Sequence, residues 1–381
     1  MAAPVRAQGV LRTFACVGPD CVATCCRGWA IRVGPEAIER WDALGVPPEE
    51  RPRLVGEGDK VYMALDATGA CATLTPRGAC GLHERWGERA LARICSLFPR
   101  SPAIRPDCVQ LTFDAGCPVV AEQVARSDDA VAWVDADHDV IPRPWARPLP
   151  IEPDHPAWAL ADALVAETVA SLLDHATPLR ARLLRVAALG LLTAEGHAPD
   201  RRAAAAVAAP HVALSRQLGP ALLWVERLLG WFRFDRPGPL AALRARIAEG
   251  RSVAELGDRV LARRDLARAQ GDRGPEAAWA RLMVHAAQHH PPLDYEDPVV
   301  WVTELLLFNA AIRTLTVLHP DADALLREPD PAGWAACAAD VAFRIARDIG
   351  HSTPAPDAPR PPWETAPEAR TLAVLGLLAE P

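Results

Sequence analysis

The sequence predicts a mainly α protein, with an irregular cysteine-rich metal-cluster module containing short strands packed on a helical bundle. Nine of the ten cysteines, from Cys16 to Cys117, lie in the first third of the 381-residue chain, which marks a separate module. From Ala157 onward, apolar residues recur at the spacing of a buried helix face. A proline-rich stretch separates the two parts. We therefore predict a cysteine module at residues 1–134, a connector at 135–156 and a helical domain at 157–381.

Proline and glycine residues mark the boundaries of the predicted elements. In the cysteine module, Tyr62–Leu65 and Val109–Phe113 are β-prone pieces between proline and glycine residues, and His83–Phe98 has the pattern of a helix. The prolines of the connector exclude a continuous helix or central strand there. A surface loop is predicted at Ser352–Pro362. Further helices, several of which open with proline, are predicted at Pro220–Phe232, Pro239–Ala248, Val253–Ala269, Pro275–Ala287, Pro298–Leu318, Pro331–Ile349 and Ala366–Leu378.

Charge and hydropathy exclude two classes of partner. The formal net charge is −7 and the pI about 5.9, so the chain as a whole does not attract a phosphate backbone, and we predict no nucleic-acid partner. The most apolar stretch, Val299 to Leu318, contains Glu304, Asn309 and Arg313. This stretch is therefore expected to be a buried helix, and no membrane partner is predicted.

The N-terminus bears on where the protein works. Arg6, Gln8 and Arg12 interrupt the apolar residues at the start, so the block typical of a signal peptide is not formed. This pattern predicts a cytoplasmic protein. Because thiols are kept reduced in the cytosol, structural disulfides are the less favoured interpretation of the cysteines.

The spacing of the cysteines leaves three other interpretations. Inert buried thiols rarely cluster so tightly, whereas structural zinc usually has paired ligands and often histidine, of which the module offers His83. An iron–sulfur cluster accepts four thiolates at irregular spacing and is the favoured interpretation. Adjacent side chains point in different directions, so Cys25 and Cys26 are not both expected to ligate one cluster. The cysteines of the module are Cys16, Cys21, Cys25, Cys26, Cys71, Cys80, Cys95, Cys108 and Cys117.

Three motifs carry a resemblance to a known family. The first is the run from Phe14 to Ile31, FACVGPDCVATCCRGWAI. The second extends from Cys71-Ala-Thr-Leu74 through Cys80 and Gly87 to Cys95-Ser-Leu-Phe-Pro-Arg100, and the third is the dipeptide Cys117-Pro118. In this order and density the motifs resemble the flagellin lysine N-methylase family, which is related to the wider cysteine-cluster proteins. The resemblance covers about Phe14 to Gln123 and is weak in the rest of the chain.

The resemblance implies transfer of a methyl group from S-adenosylmethionine to a lysine amine of a protein or peptide such as flagellin, with an iron–sulfur cluster of the 4Fe-4S type. Trp29 and Arg100, which lie inside the matched motifs, are the predicted cofactor contacts. The chain shows no strand followed by a Gly-x-Gly-x-Gly turn, so a Rossmann-type cofactor site is not expected. The predicted metal ligands are Cys16, Cys21, Cys25, Cys26, Cys71, Cys80, Cys95 and Cys117.

Two residues are candidates for the chemistry on the amine. A lysine must lose its proton before it attacks a methyl group, and Glu304, in the helical domain, could assist as a base. The alternative is a carboxylate neutralised by Arg313 or another arginine. Tyr62 could line the pocket near the cluster, although an ordinary strand tyrosine has the same appearance.

Other functions fit the same residues. A protein that binds an iron–sulfur cluster or zinc without catalysis would need the same cysteines, and the same scaffold could modify a small molecule or a natural-product peptide. Cys108 and Cys337 belong to none of the motifs and are expected to be small buried hydrophobic residues. The tryptophans of the helical domain are expected in its core.

Overall fold

The computed structural model describes residues 3–28, 31–58, 60–141, 152–209, 253–295 and 297–350. The chain is mainly helical, as predicted, and divides into two compact units. The first unit consists of Met1–Val120 with Trp133–Pro148, and the second consists of Ala121–Ala132 with Leu149–Pro381.

The first unit contains a four-stranded sheet. Its strand order is β4-β5-β1-β6, in which β1 runs parallel to β5 and antiparallel to β6. The strand predicted at Val109–Phe113 is confirmed, whereas the pairing of the small β2-β3 ribbon takes in only the first half of Tyr62–Leu65. The strands are β1 Val5–Gln8, β2 Leu54–Val55, β3 Tyr62–Met63, β4 Arg100–Ile104, β5 Val109–Phe113 and β6 Trp133–Ala136.

The single helix predicted over His83–Phe98 is wrong. The segment instead forms two short helices joined by a 3-10 turn, Glu88–Ala90. Gly87, with φ of +72°, ends the first of them in a conformation that a residue with a side chain rarely adopts. The first five helices of the chain are α1 Pro35–Ala43, α2 Gly81–Trp86, α3 Arg93–Leu97, α4 Pro118–Arg126 and α5 Asp128–Val131.

The second unit is a helical assembly. The helix predicted at Val253–Ala269 is confirmed, and those predicted at Pro298 and Pro331 begin at these residues. Its remaining helices are α6 Ala157–Leu172, α7 Leu179–Ala194, α8 Arg201–Ala208, α9 Val253–Ala269, α10 Glu276–His289, α11 Pro298–Val317, α12 Ala322–Arg327 and α13 Pro331–Gly350. The helices predicted at Pro220–Phe232, Pro239–Ala248 and Ala366–Leu378 and the loop at Ser352–Pro362 lie outside the described residues.

Helix α11 forms the core of this unit. Within the described residues it alone is long and apolar enough to cross a membrane, and 83% of its most apolar window is buried in the protein. Helix α7 approaches it so closely that a Cβ on Gly190 would lie 2.7 Å from Val302. Trp279, Trp301 and Trp334 are at most 1% exposed, which confirms the predicted core role of the tryptophans described here.

Candidate metal centre

Tight turns arrange the first cysteine motif. Gly18 opens a 3-10 turn, Gly18–Asp20, with φ of +57°, and its N–H donates to Cys16 Sγ over 3.4 Å. The N–H of Cys21 then donates to the carbonyl of Gly18. A few residues later, Thr24 Oγ1 accepts a hydrogen bond from the N–H of Cys26 over 3.3 Å. Small residues and local hydrogen bonds therefore replace regular secondary structure where this motif folds.

Backbone pairing brings the second motif to the first. The N–H of Cys71 donates to the carbonyl of Cys26 over 2.8 Å, and single β-bridges join Leu65 with Cys71 and Leu74 with Cys80. Cys71 is 4% exposed and belongs to the hydrophobic cluster of the unit. Cys26, Cys80 and Cys95 pack against the same cluster. We call Cys26, Cys71, Cys80 and Cys95 the inner thiol group.

The members of the inner thiol group interact directly. The thiols of Cys26 and Cys80 hydrogen-bond to each other. Cys95 interacts electrostatically with the other three members, Cys26, Cys80 and Cys71. Thr73 Oγ1 lies 3.3 Å from Cys71 Sγ and 3.9 Å from Cys80 Sγ, so it links two of the thiols. Cys25 differs, because it reaches the group through a hydrogen bond to Cys26.

These contacts make the thiols weak acids. A hydrogen bond with Cys25 and burial raise the pKa of Cys26 to about 11, although the bond with Cys80 opposes the shift. The bond with Cys26 and burial raise the pKa of Cys80, and burial with the neighbouring thiols raises that of Cys95. Several thiolates cannot coexist here without a compensating positive charge. A thiophilic metal or cluster supplies that charge, and its binding must release protons.

A second set of three cysteines lies around the start of α4. Cys117, 9% exposed, directly precedes this helix, and the N–H groups of Val119 and Val120 point at its sulfur. Burial raises the pKa of Cys117 to about 11 against the effect of these N–H groups, and Cys21 and Cys16 raise it further. We call Cys16, Cys21 and Cys117 the outer thiol group. Sequence spacing does not predict this division of the eight cysteines.

Arg100 lies at the start of β4, beside the end of β5, which is the strand that leads toward Cys117 of the outer thiol group. It is the first residue of β4 and pairs with Phe113 of β5, and its guanidinium carbon lies 5.8 Å from the centre of the Phe14 ring. Its Nε is buried and has no hydrogen-bond partner among the described residues. The ring centres of Phe14 and Phe113 are 5.7 Å apart. Trp29, the other predicted cofactor contact, lies outside the described residues.

Tyr62 lies on β3, where it pairs with Val55 and bridges to Arg32. Its neighbour Met63 is buried and approaches Cys71, with 3.8 Å between the two sulfur atoms. Successive side chains of a strand point to opposite faces. Tyr62 therefore points away from the face on which Met63 meets the inner thiol group.

Two other residues near the cysteines have structural contacts. Trp41, 1% exposed, donates from Nε1 to the carbonyl of Ala90 over 2.7 Å, in the 3-10 turn that precedes the helix carrying Cys95. His83 is exposed, and its backbone N–H donates to the sulfur of Cys80. Sequence reasoning missed the sulfur contacts of Met63 and Thr73, although Thr73 stands two residues after Cys71 in the second motif.

Glu304 belongs to the second unit and not to the unit of the cysteines. It is half-buried on α11. Arg313 is nine residues farther along the same helix, which places the two side chains on opposite faces at 100° per residue. A direct ion pair between them is not favoured by this geometry. The guanidinium carbon of Arg313 instead lies 5.6 Å from the ring centre of Trp279.

Comparisons with known proteins agree with the resemblance over one part of the chain. The chain is 24% identical over 127 residues to the lysine-N-methylases of Salmonella choleraesuis and Salmonella typhimurium, which is 31% of this chain and 32% of each of those proteins. It is also 24% identical over 130 residues to the flagellar biosynthetic protein FliU of Salmonella muenchen, covering 75% of that protein. No family model and no solved structure matches the chain. The chain thus spans about a third of the length of the lysine-N-methylases that it resembles.

Proposed function

We propose that this chain is an iron–sulfur-dependent methyltransferase that moves a methyl group from S-adenosylmethionine to a lysine amine of a protein or peptide. The observation that carries the proposal is the convergence of Cys26, Cys71, Cys80 and Cys95 from two separate sequence motifs. The similarity to lysine-N-methylases supports the reaction class. The similarity to a flagellar protein supports a flagellin-like substrate.

The inner thiol group fits a cubane cluster by its chemistry. It offers four thiols, the number of thiolates that a 4Fe-4S cluster takes. The surrounding apolar residues exclude water, and the hydroxyl of Thr73 can donate to sulfur. When bound, such a cluster would supply the positive charge that offsets the four thiolates. The outer thiol group, with three thiols, is proposed as a second metal-binding set in the same unit.

Arg100 is proposed to bind the methionine part of the methyl donor. Its buried Nε–H lacks a partner among the described residues, and an unsatisfied buried donor of this kind is costly. A guanidinium pairs well with a carboxylate, since it donates two parallel hydrogen bonds. The carboxylate of the donor would satisfy the Nε–H and fix the donor beside the outer thiol group. Trp29 belongs to the first matched motif, which also carries Cys16 and Cys21, and is proposed as a neighbouring contact.

Glu304 is proposed to accept the proton that the lysine ammonium must lose. It has a carboxylate on a half-buried helix position, and a carboxylate can accept a proton as a general base. We assign this role to Glu304 rather than Tyr62, because Tyr62 points away from the inner thiol group. In this proposal the helical region from about Ala157 selects the protein substrate, and the reaction takes place in the cytoplasm.

The experiment is anaerobic purification followed by assay of iron, acid-labile sulfide and methyl transfer. Wild-type protein should contain iron and sulfide and should transfer labelled methyl to lysine in flagellin. Cys80→Ala should lose the iron of the inner thiol group and the activity together, whereas Cys108→Ala, which changes a buried cysteine outside both thiol groups, should retain both. A colourless protein with stoichiometric zinc would overturn the iron–sulfur proposal. A brown protein that methylates no lysine would contradict the lysine methyltransferase proposal. That result would favour a non-catalytic cluster protein or an enzyme that modifies a small molecule or a natural-product peptide.

A further inference from the structure

A second set of metal-binding side chains lies in the helical unit, away from the cysteine motifs in sequence. His319 follows the end of α11, Asp321 directly precedes α12, and Cys337 and Asp340 are on α13. The ligand atoms of His319, Asp321 and Cys337 all lie within 4.8 Å of one another. The segment between α11 and α12 and the helix α13 thus converge on one point. Neither the proposed methyl transfer nor the resemblance uses these residues.

The hydrogen bonds of His319 leave the ring in the form that binds a metal through Nδ1. The backbone N–H of Asp321 donates to Nδ1 over 3.2 Å, so Nδ1 is an acceptor and carries no proton. The proton is therefore on Nε2, which lies 3.3 Å from a carboxylate oxygen of Asp340. The same carboxylate accepts a hydrogen bond from Arg344 Nε. Histidines that bind metals are commonly held in this way, with the second ring nitrogen donating to a carboxylate.

We propose that His319 Nδ1, Asp321 and Cys337 bind one divalent ion of the zinc class. Nδ1 lies 3.4 Å from Cys337 Sγ and 3.6 Å from a carboxylate oxygen of Asp321. Ligands at ordinary zinc distances in a tetrahedron are separated by about 3.6 Å for sulfur and nitrogen and about 3.4 Å for nitrogen and oxygen. The three atoms are therefore already near the required spacing. The ion would compete with the Asp321 N–H for the same lone pair.

Exposure and charge agree with this assignment. The side chain of Asp321 is 79% exposed and that of His319 is 13% exposed, so an ion could enter from solvent. Cys337 is 4% exposed. Burial, with the charges of Asp321 and Asp340, raises the pKa of Cys337 to about 12, and a bound cation would reverse this effect. With three protein ligands, a fourth position would remain for water or another ligand.

Asp340 is proposed as a positioning residue for this site. It stands three residues after Cys337 on α13, so the two side chains lie on one face of the helix and meet the two nitrogens of the same imidazole. Loss of its charge should leave the three ligands in place and weaken binding about 10- to 100-fold, as loss of such a supporting carboxylate usually does.

The test is zinc binding to the full chain after anaerobic loading of its iron. Zinc per chain and the dissociation constant would be measured by competition with a chromophoric chelator, and cobalt would serve as a spectroscopic probe of thiolate ligation. Relative to wild type, His319→Gln and Cys337→Ser should bind one zinc ion fewer per chain. The exposed position of Asp321 makes Asp321→Asn the variant least dependent on folding, and it should lose at least tenfold in affinity.

The matched control is Asp272→Asn, because Asp272 is an exposed carboxylate of the same unit outside the cluster. It should bind zinc as wild type does. Far-ultraviolet circular dichroism and thermal melting would show that each variant is folded. An unchanged zinc number and affinity in folded Asp321→Asn and Asp340→Asn would overturn the proposal and leave His319 as a residue that only joins two helices. The outcome is independent of whether the cysteine unit holds a cluster.

Discussion

The backbone N–H of Cys71 donates to the carbonyl of Cys26 over 2.8 Å. This bond and the adjacent β-bridge of Arg27 with Ala70 join the two cysteine motifs, which are separated by α1 and the β2-β3 ribbon. The bond is formed by backbone atoms, so it places Cys26 beside Cys71 whether or not their thiols bind anything. The inner thiol group is therefore arranged by chain pairing before metal enters, and a metal would stabilise an arrangement that already exists.

The first prediction concerns the division of the cysteines into two groups. We expect Cys80→Ala to remove the iron held by the inner thiol group and Cys117→Ala to remove the metal held by the outer thiol group. Each single variant should retain part of the iron, and the double variant should retain no iron, because the groups share no cysteine. Iron and sulfide per chain in the soluble fraction are the measurements.

Cys108→Ala serves as the control for both changes, since Cys108 is buried, as Cys117 is, but lies at the turn between β4 and β5. It should keep the full metal content. If either single variant alone loses all iron, the eight cysteines form one centre and the division is wrong.

The sequence predicted those parts of the molecule that local chemistry determines. The strand Val109–Phe113 and the helix Val253–Ala269 are correct because periodicity and flanking residues specify each element by themselves. The helix predicted over His83–Phe98 is interrupted at Gly87, where the backbone adopts a positive φ despite the helical spacing of the apolar residues on either side. A glycine inside a helical pattern could have indicated this break.

The candidate sites could be predicted only in part. Clustered thiols predicted a metal site in the first unit, but spacing along the chain cannot show which cysteines meet. That depends on long-range pairs such as Cys71 with Cys26. The group of His319, Asp321 and Cys337 was missed for the same reason, because Cys337 lies 16 residues after Asp321 and only the fold brings its thiol to the other two side chains.

The second prediction concerns the support of the inner thiol group by Trp41. Trp41→Phe leaves the buried carbonyl of Ala90 without its donor, so the free energy of unfolding should fall by about 1–3 kcal/mol. The urea midpoint of the metal-loaded protein, with the slope m checked for change, is the measurement. Trp86→Phe is the control, since Trp86 donates to the carboxylate of Glu50, which water can reach, and the effect should be smaller. Equal losses in both variants would contradict a special role for Trp41.

The third prediction is a dependence of stability on pH that arises from His285. This residue is 3% exposed, and neither ring nitrogen has a hydrogen-bond partner among the described residues. Burial and the neighbouring His289 and His290 lower the pKa of His285 well below its usual value in the folded state. The unfolded chain binds the proton first as pH falls below about 6.5, so stability is fully present above that pH and is lost below it.

His285→Leu removes the pH-dependent contribution of His285 to stability, together with a buried polar group that has no hydrogen-bond partner among the described residues. The variant should therefore lose less stability on acidification. Between pH 7.5 and about 5.5, wild type should lose about 1.4 kcal/mol more than the variant. Urea midpoints at several pH values measure the difference. His197→Leu, at an exposed position, should follow wild type. Parallel pH curves for His285→Leu and wild type would show that folding does not lower the pKa of His285, so that the folded protein takes up this proton as readily as the unfolded chain does.

The last prediction separates catalysis from stability at Glu304. Glu304→Gln keeps the shape of the side chain and removes its charge, so no cavity opens. If Glu304 accepts the lysine proton, the variant should keep its iron and its binding of S-adenosylmethionine and should lose about 10²- to 10⁴-fold in methyl transfer. The loss should be smaller at high pH, where more of the substrate lysine is already deprotonated, so the ratio of wild-type to variant rates should fall as pH rises.

Glu167→Gln is the matched control, since Glu167 is a half-buried carboxylate on α6 of the same unit that accepts from the N–H of Arg201. If Glu304 only balances a buried arginine, the variant should instead lose about 3–5 kcal/mol of stability, with activity per folded molecule unchanged.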